Sequence, residues 1–394
     1  MKTFLPSVFL LSVLTSRLMA APAIPSFRAI DIDMQVQIGY GVTVVDVNGD
    51  KKPDIVLADK NVIVWYQNPT WEKHIIAEKL TELDHVCVAA TDIDGDGKAE
   101  IAVGAGWNPS DTIGSGAVFY LIPPADRTQR WKPIELPHEP TVHRMRWIKN
   151  EQGKFDLLVV PLHGRGNKNG EGAGVKIQTY HMPTDPKQPW TLETIDAEQH
   201  MTHNFNPVQW DSNPANEILL ASSEGIFLLN HEHGNWTKRA LAKKGAQGFN
   251  GAGEVRDGKL VSGKRFLAAV EPMHGNQVVV YTSENLAADQ LWKRHVLDES
   301  LIEGHAVACG NLGGSGESIV IGWRGKKAGD KVGIKIFTVL DAEGAEWNQT
   351  LLDDGGMACE DLCLADLNND GRLDIIAAGR ATKNLKIYFN EGAR

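Results

Sequence analysis

Short apolar runs and polar turns alternate along the chain, and helical periodicity is almost absent. Runs such as Ile101-Ala-Val, Leu157-Leu-Val-Val and Ile319-Val-Ile lead to alternating segments such as Val118-Phe-Tyr, Val175-Lys-Ile-Gln-Thr-Tyr and Ile334-Lys-Ile-Phe. Tryptophan opens a short amphipathic segment at Trp71, Trp131, Trp190, Trp236, Trp292 and Trp347, with separations of 60, 59, 46, 56 and 55 residues. Four strands per unit of this length is the pattern of a β-propeller blade. Seven inner-strand-plus-turn units centre near Asp46, Asp92, Asn150, Asp211, Asp257, Asn311 and Asp366. Six tryptophan-led outer strands leave one blade short. Residues 26–33, with Phe27 in the tryptophan's place, are the expected missing strand. The predicted fold is all-β: a seven-bladed propeller of four-stranded antiparallel blades, with the N-terminal strand completing the last blade. Residues 24–394 form its one domain.

A nine-residue acidic loop recurs three times just before an apolar run. It carries Asp92, Asp94, Asp96 and Glu100; then Asp46, Asn48, Asp50 and Asp54; then Asp366, Asn368, Asp370 and Asp374. Oxygen ligands at every second residue around a glycine-containing turn suit a hard cation, and structural Ca2+ is expected at up to three loops. The final acid stands at position 9 and strands flank the loop, so this is a hairpin turn and not an EF-hand.

Composition narrows the partners. The formal charge of −10 speaks against nucleic acid. Residues 1–23 read as a signal peptide: Lys2, then an apolar core, then a small-residue cleavage region. That core is too short to span a bilayer, so no membrane span is expected and the mature protein is expected to be secreted or periplasmic. Cys87, Cys309, Cys359 and Cys363 fall in or beside apolar runs and are expected as buried free thiols.

Strand polarity puts the acidic loops on one face. The loops entering the inner strands, and those joining the second and third strands, lie on the other. There the chain carries His85, His143, His163, His203, His274 and His305. Imidazole is a general acid or base near neutral pH and a zinc ligand, so the cluster is read as catalytic, with Zn2+ an optional occupant. His143 and His203 are the expected acid–base pair. His163, His274 and His305 are expected as ligands or helpers, and Tyr40 as a proton donor. Trp107 and Trp323 offer flat faces for a sugar ring. Arg165, Arg324 and Arg380, with His85 and Glu360, are expected to contact the ligand.

The acidic loop followed by Ile-hydrophobic resembles the FG-GAP/VCBS-repeat propellers. The histidine-rich mouth is similar to the propeller domain of aldos-2-ulose dehydratase. That resemblance implies elimination of water from oxidised sugars such as 1,5-anhydrofructose. The expected function is a secreted carbohydrate-active lyase or dehydratase acting on a keto-sugar or uronide. The alternative is a non-catalytic, calcium-stiffened propeller that binds a glycan or protein partner on the same face.

Overall fold

In the computed structural model, which describes residues 25–285 and 289–393, twenty-eight strands form seven four-stranded antiparallel sheets. The expected signal segment at residues 1–23 lies outside the described residues. The inner strands, in blade order, are Gly41–Val45, Cys87–Thr91, Val142–Lys149, Thr202–Val208, Glu254–Lys259, Gly304–Gly310 and Cys359–Ala365. Six blades are contiguous in sequence. The seventh takes its outer strand, Phe27–Asp33, from the N-terminus, in register from Phe27 opposite Asn390 to Asp33 opposite Leu385. This pairing closes the ring and leaves no unpaired edge at the seam.

The second and third strands of each blade are buried on both faces. They therefore read as continuous apolar runs and not as strict alternation. Their side chains fill the wedges between neighbouring blades. One such wedge packs Trp65, Val103, Phe119 and Trp131 together. Another packs Tyr120, Trp147 and Trp190, with the two tryptophan rings 6.4 Å apart. Trp131, Trp190 and Trp292 are buried, and Trp71, Trp236 and Trp347 are half-buried against neighbouring wedges. Truncating one of the buried tryptophans to alanine costs about 3–5 kcal/mol.

The acidic loops join first and second strands, which places all three on one face of the ring. Their turns are tight: Gly95 and Gly97 sit at φ of 84° and 83°, and Lys51 adopts φ of 64° at the place Gly97 holds in its own loop. Backbone N–H groups donate to the leading aspartate of each loop, Gly49 and Lys51 to Asp46, Gly95 and Gly97 to Asp92. The last acid of each loop is buried and accepts from the turn: Asp54 from Val47, Glu100 from Ile93, Asp374 from Leu367.

Candidate functional site

The opposite face holds a compact polar layer, and a recurrent backbone device creates it. In blades 3, 4, 6 and 7 the pairing of first and second strands slips by one residue at the strand entrance. The slips fall between Val142 and Arg144, Thr202 and Asn204, Gly304 and Ala306, and Cys359 and Asp361. The residue passed over is His143, His203, His305 or Glu360. A bulge re-aims its extra residue. Hence His143 and Arg144, which regular pleating would send to opposite faces, hydrogen-bond to each other. Blades 1, 2 and 5 keep regular pairing over these strands.

The bulged residues interlock around the ring. His143 Nδ1 bonds the His203 carbonyl at 2.8 Å, His203 Nδ1 the Gly253 carbonyl at 2.9 Å, and His305 Nδ1 the Glu360 carbonyl at 2.5 Å. A carbonyl only accepts, so each of these nitrogens carries the proton and each Nε2 keeps its lone pair. His274, from the loop joining the second and third strands of blade 5, brings its Nε2 to within 2.5 Å of His203 Nε2. The rings of His203 and His305 are 5.3 Å apart, and those of His274 and His305 4.8 Å. His203, His274 and His305 each bring one ring nitrogen into a group spanning no more than 4.8 Å. Three convergent imidazole nitrogens, two of them held in one tautomer by carbonyls, fit the donor set that a histidine zinc site requires.

An acidic and basic network brackets this cluster. Arg324 donates to both oxygens of Glu360 at 2.9 and 2.8 Å, to Glu303 at 3.1 Å, and approaches His274 Nδ1 at 3.4 Å. Arg380 donates to Glu360 at 3.0 Å. Glu254, fully buried, faces His203 Nδ1 at 3.3 Å and accepts both hydrogen bonds of the Asn204 amide. Burial drives all four imidazoles below the usual histidine value. Neighbouring charges push the same way: Arg144 on His143 and His203, Arg324 on His305, and His203 with Arg324 on His274. The cluster is therefore neutral at pH 7 and offers lone pairs, not protons.

Other expected residues are placed differently. His143 does not present a free nitrogen: Nδ1 is bonded to the His203 carbonyl, and Arg144 donates to Nε2 at 3.0 Å. Trp107 stacks on its ring at 4.8 Å, so His143 is braced on both sides. His85 does not reach the mouth. It is wholly buried, and its Nε2 accepts the Leu80 N–H at 3.2 Å. Blade 2 has no bulge to turn it inward. Trp323 is likewise a wedge residue, 5% exposed and packed in the blade 5–6 core, so it cannot offer a face to a sugar. His163 forms an isolated bridge with Met201, and Arg165 is engaged by Glu139 and the Ile113 carbonyl. Tyr40 donates to Asp84 at 2.8 Å beneath the Arg380 guanidinium.

Arg144, Asn204, Glu254 and Glu303 are not evident from sequence reasoning. For Arg144 and Asn204 the signal is the doubled polar residue at an inner-strand entrance, as in His143-Arg144, His203-Asn204 and Glu360-Asp361, which breaks the alternation just where the bulges lie. Glu303 carries a second mark, a φ of 59°, which is uncommon for a residue with a side chain and clusters at functional sites.

On the acidic face, Asp92, Asp94 and Glu100 each bring one oxygen into a group spanning no more than 4.8 Å. Burial raises the carboxyl of Glu100 to about 7 and that of Asp54 to about 6. A hard cation fits that donor set and would hold these acids ionised.

Comparison with known proteins agrees with this architecture. Residues 115–284 match the family model for the aldos-2-ulose dehydratase β-propeller domain, a span that includes His143, His203, Glu254 and His274. Residues 46–103 match an FG-GAP-like repeat and residues 88–121 an FG-GAP repeat. No curated protein matches the chain. Among solved structures, a chain of the mitotic checkpoint complex aligns with a TM-score of 0.57 at 12% identity, over 98% of both chains. The Myceliophteria thermophila Cps50 (Swd1) β-propeller domain aligns with a TM-score of 0.53 at 10% identity, over 93% of this chain and 99% of that one. At such identity these likenesses concern the fold alone. The chain is thus a seven-bladed propeller whose first two blades match FG-GAP-type repeats and whose third to fifth blades match the aldos-2-ulose dehydratase propeller domain.

Proposed function

We propose that this protein is a carbohydrate-active carbon–oxygen lyase, a dehydratase that eliminates water or alcohol from a keto-sugar or uronide. The observation that carries the reading is the convergence of His203, His274 and His305 beside the Arg324–Glu360–Arg380 network, within a ring whose matched family is a sugar dehydratase. His203, His274 and His305 would hold Zn2+ through their ring nitrogens, and zinc in that place supplies Lewis-acid polarisation of a carbonyl oxygen.

The chain's own groups divide the remaining work. Glu303 lies 3.7 Å from His274 Nδ1, is partly open to solvent and is held by Arg324, so it is assigned as acceptor of the proton α to the carbonyl. Arg380, with 42% of its side chain exposed, is the guanidinium free to meet a substrate oxyanion while Glu360 fixes its direction. The proton leaves the α-carbon and the β-carbon–oxygen bond breaks. The departing oxygen is protonated from the Tyr40 side of the mouth or from water. Trp107, half-buried against His143, supplies an apolar wall for the ring. The calcium loops stiffen blades 1, 2 and 7, and the N-terminal pattern of residues 1–23 supports an exported protein.

The test is direct. Purified full chain, with its metals quantified, is mixed with an aldos-2-ulose or its anhydro-ketose, and absorbance from a conjugated enone is followed. Turnover is expected with stoichiometric zinc. Glu303→Gln should abolish turnover and keep zinc; His274→Ala should lose both. Binding of the sugar with no product in the wild type would instead establish the non-catalytic glycan-binding role.

A further inference from the structure

Apart from Tyr40 at its mouth, the central channel behind the histidine layer takes no part in that reaction. Its cavity, about 390 Å3, runs along the inner strands from Tyr40 and Arg144 to Asp257 and Cys309. Three arginines line it, Arg144 and Arg146 from blade 3 and Arg256 from blade 5. Arg144 and Arg146 are two residues apart on one strand, so the pleat sends both to the channel side.

Each guanidinium spends Nη1 on the carbonyl directly before it: Arg144 on His143 at 3.0 Å, Arg146 on Met145 at 2.7 Å, Arg256 on Val255 at 2.7 Å. The nearby carboxylates are largely committed elsewhere. Glu254 meets Arg256 at 3.4 Å but takes both hydrogen bonds from the Asn204 amide. Asp257 is closed off by Arg265 and Asn206. Asp361 accepts the Val42 N–H at 2.9 Å. Among the described residues neither Arg144 nor Arg146 has a carboxylate partner within ion-pair distance. With Asp257 paired to Arg265, three guanidiniums face two carboxylates, Glu254 and Asp361, and one positive charge is left over in an enclosed space. Burial pushes the Asp361 carboxyl up, while Arg144 and Arg146 pull it down. Burial, then Arg256, pushes Arg146 down, as expected for a guanidinium short of counter-charge.

We propose that the channel is a binding site for a small oxyanion, a carboxylate or phosphate group held among Arg144, Arg146 and Arg256. Planar guanidiniums with unspent N–H donors match the paired oxygens of such groups. The cavity suits an inorganic anion or a small acid, not a polymer. Arg144 also donates to His143 Nε2 at 3.0 Å, so occupancy of the channel reaches the histidine layer through one side chain.

This site does not depend on the reaction proposed above, and its test reads binding alone. The full chain is titrated calorimetrically with inorganic phosphate and, separately, with acetate, at constant ionic strength set by chloride. Saturable binding of one equivalent is expected, and the tighter ion identifies the headgroup. Arg146→Gln should weaken it about tenfold. Arg130→Gln, which removes an exposed charge paired to Glu78, should bind as the wild type does. Arg256→Lys keeps the charge, loses the fork and serves as the second variant if Arg146→Gln does not fold. Absence of saturable binding for both ions, or wild-type affinity in both channel variants, overturns the proposal.

Discussion

On one face of the ring, Asp92, Asp94 and Glu100 come from nine consecutive residues; on the other, His203, His274 and His305 come from three different blades. The acidic loop is nearly complete within its own hairpin, where backbone N–H groups of Gly95 and Gly97 already aim Asp92. The histidine layer exists only when the ring is closed. Three of its four imidazoles are oriented by a carbonyl of the next blade, His143 by His203, His203 by Gly253, His305 by Glu360. The first kind of site tolerates loss of its neighbours. In the second kind, moving one blade takes its imidazole out of the group.

The largest effect should come from breaking the second kind. His203→Ala removes one of the three convergent imidazoles and leaves in place the backbone carbonyl that orients His143. It should lower elimination by at least about a hundredfold while the far-ultraviolet circular dichroism of the ring persists. Wild-type turnover in this variant would end the assignment.

Calcium removal should act on the other face only. A chelator selective for calcium should lower stability by about 3 kcal/mol per loop that had been held a hundredfold above its dissociation constant, read as a drop in melting temperature. Turnover well below that temperature should stay near the untreated value. An unchanged melting temperature would show that the loops hold no cation of consequence.

Acid and base should separate the two faces next. The histidines have folded pKa values below their ordinary 6.5. The unfolded chain therefore binds more protons, and their contribution is present above pH 6.5 and lost as pH falls below it. Glu100, raised to about 7, and Asp54, raised to about 6, have the opposite sign in cation-free protein. There stability is present near pH 4.5 and falls as pH rises through 6 to 7, until calcium is supplied. Melting curves across pH 5 to 8, with and without calcium, should show both slopes, and His274→Gln should flatten only the acid-side one. The smallest effect belongs to Arg380→Gln. It loses one largely exposed bond to Glu360 and should raise KM several-fold with little change in melting.

The unequal legibility of the two faces follows from the same contrast. The acidic loops could be read residue by residue because Asp46-to-Asp54 spacing is itself the geometry. The histidines could be gathered to one face by counting positions from each turn. Counting could not distinguish His85 from His203, since they stand seven and eight residues before the turns at Asp92 and Asp211. Blade 4 bulges at that point and blade 2 does not. Trp323 departs from its expected place for a related reason. A tryptophan ending a strand beside a loop looks available, yet the neighbouring blade covers it and Lys331 takes its N–H at 2.9 Å.

The sequence by itself determined the strands, the seven-fold repeat, the closing role of residues 27–33 and the face on which each polar cluster stands. All of these follow from local periodicity and turn chemistry, which act over a few residues. Only the tertiary structure decided which histidines share a centre, which tryptophans are core, and that Arg144, Arg146 and Arg256 surround one cavity. Those depend on one-residue bulges and on contacts between residues as far apart as Val42 and Asp361, where ring closure sets the distance.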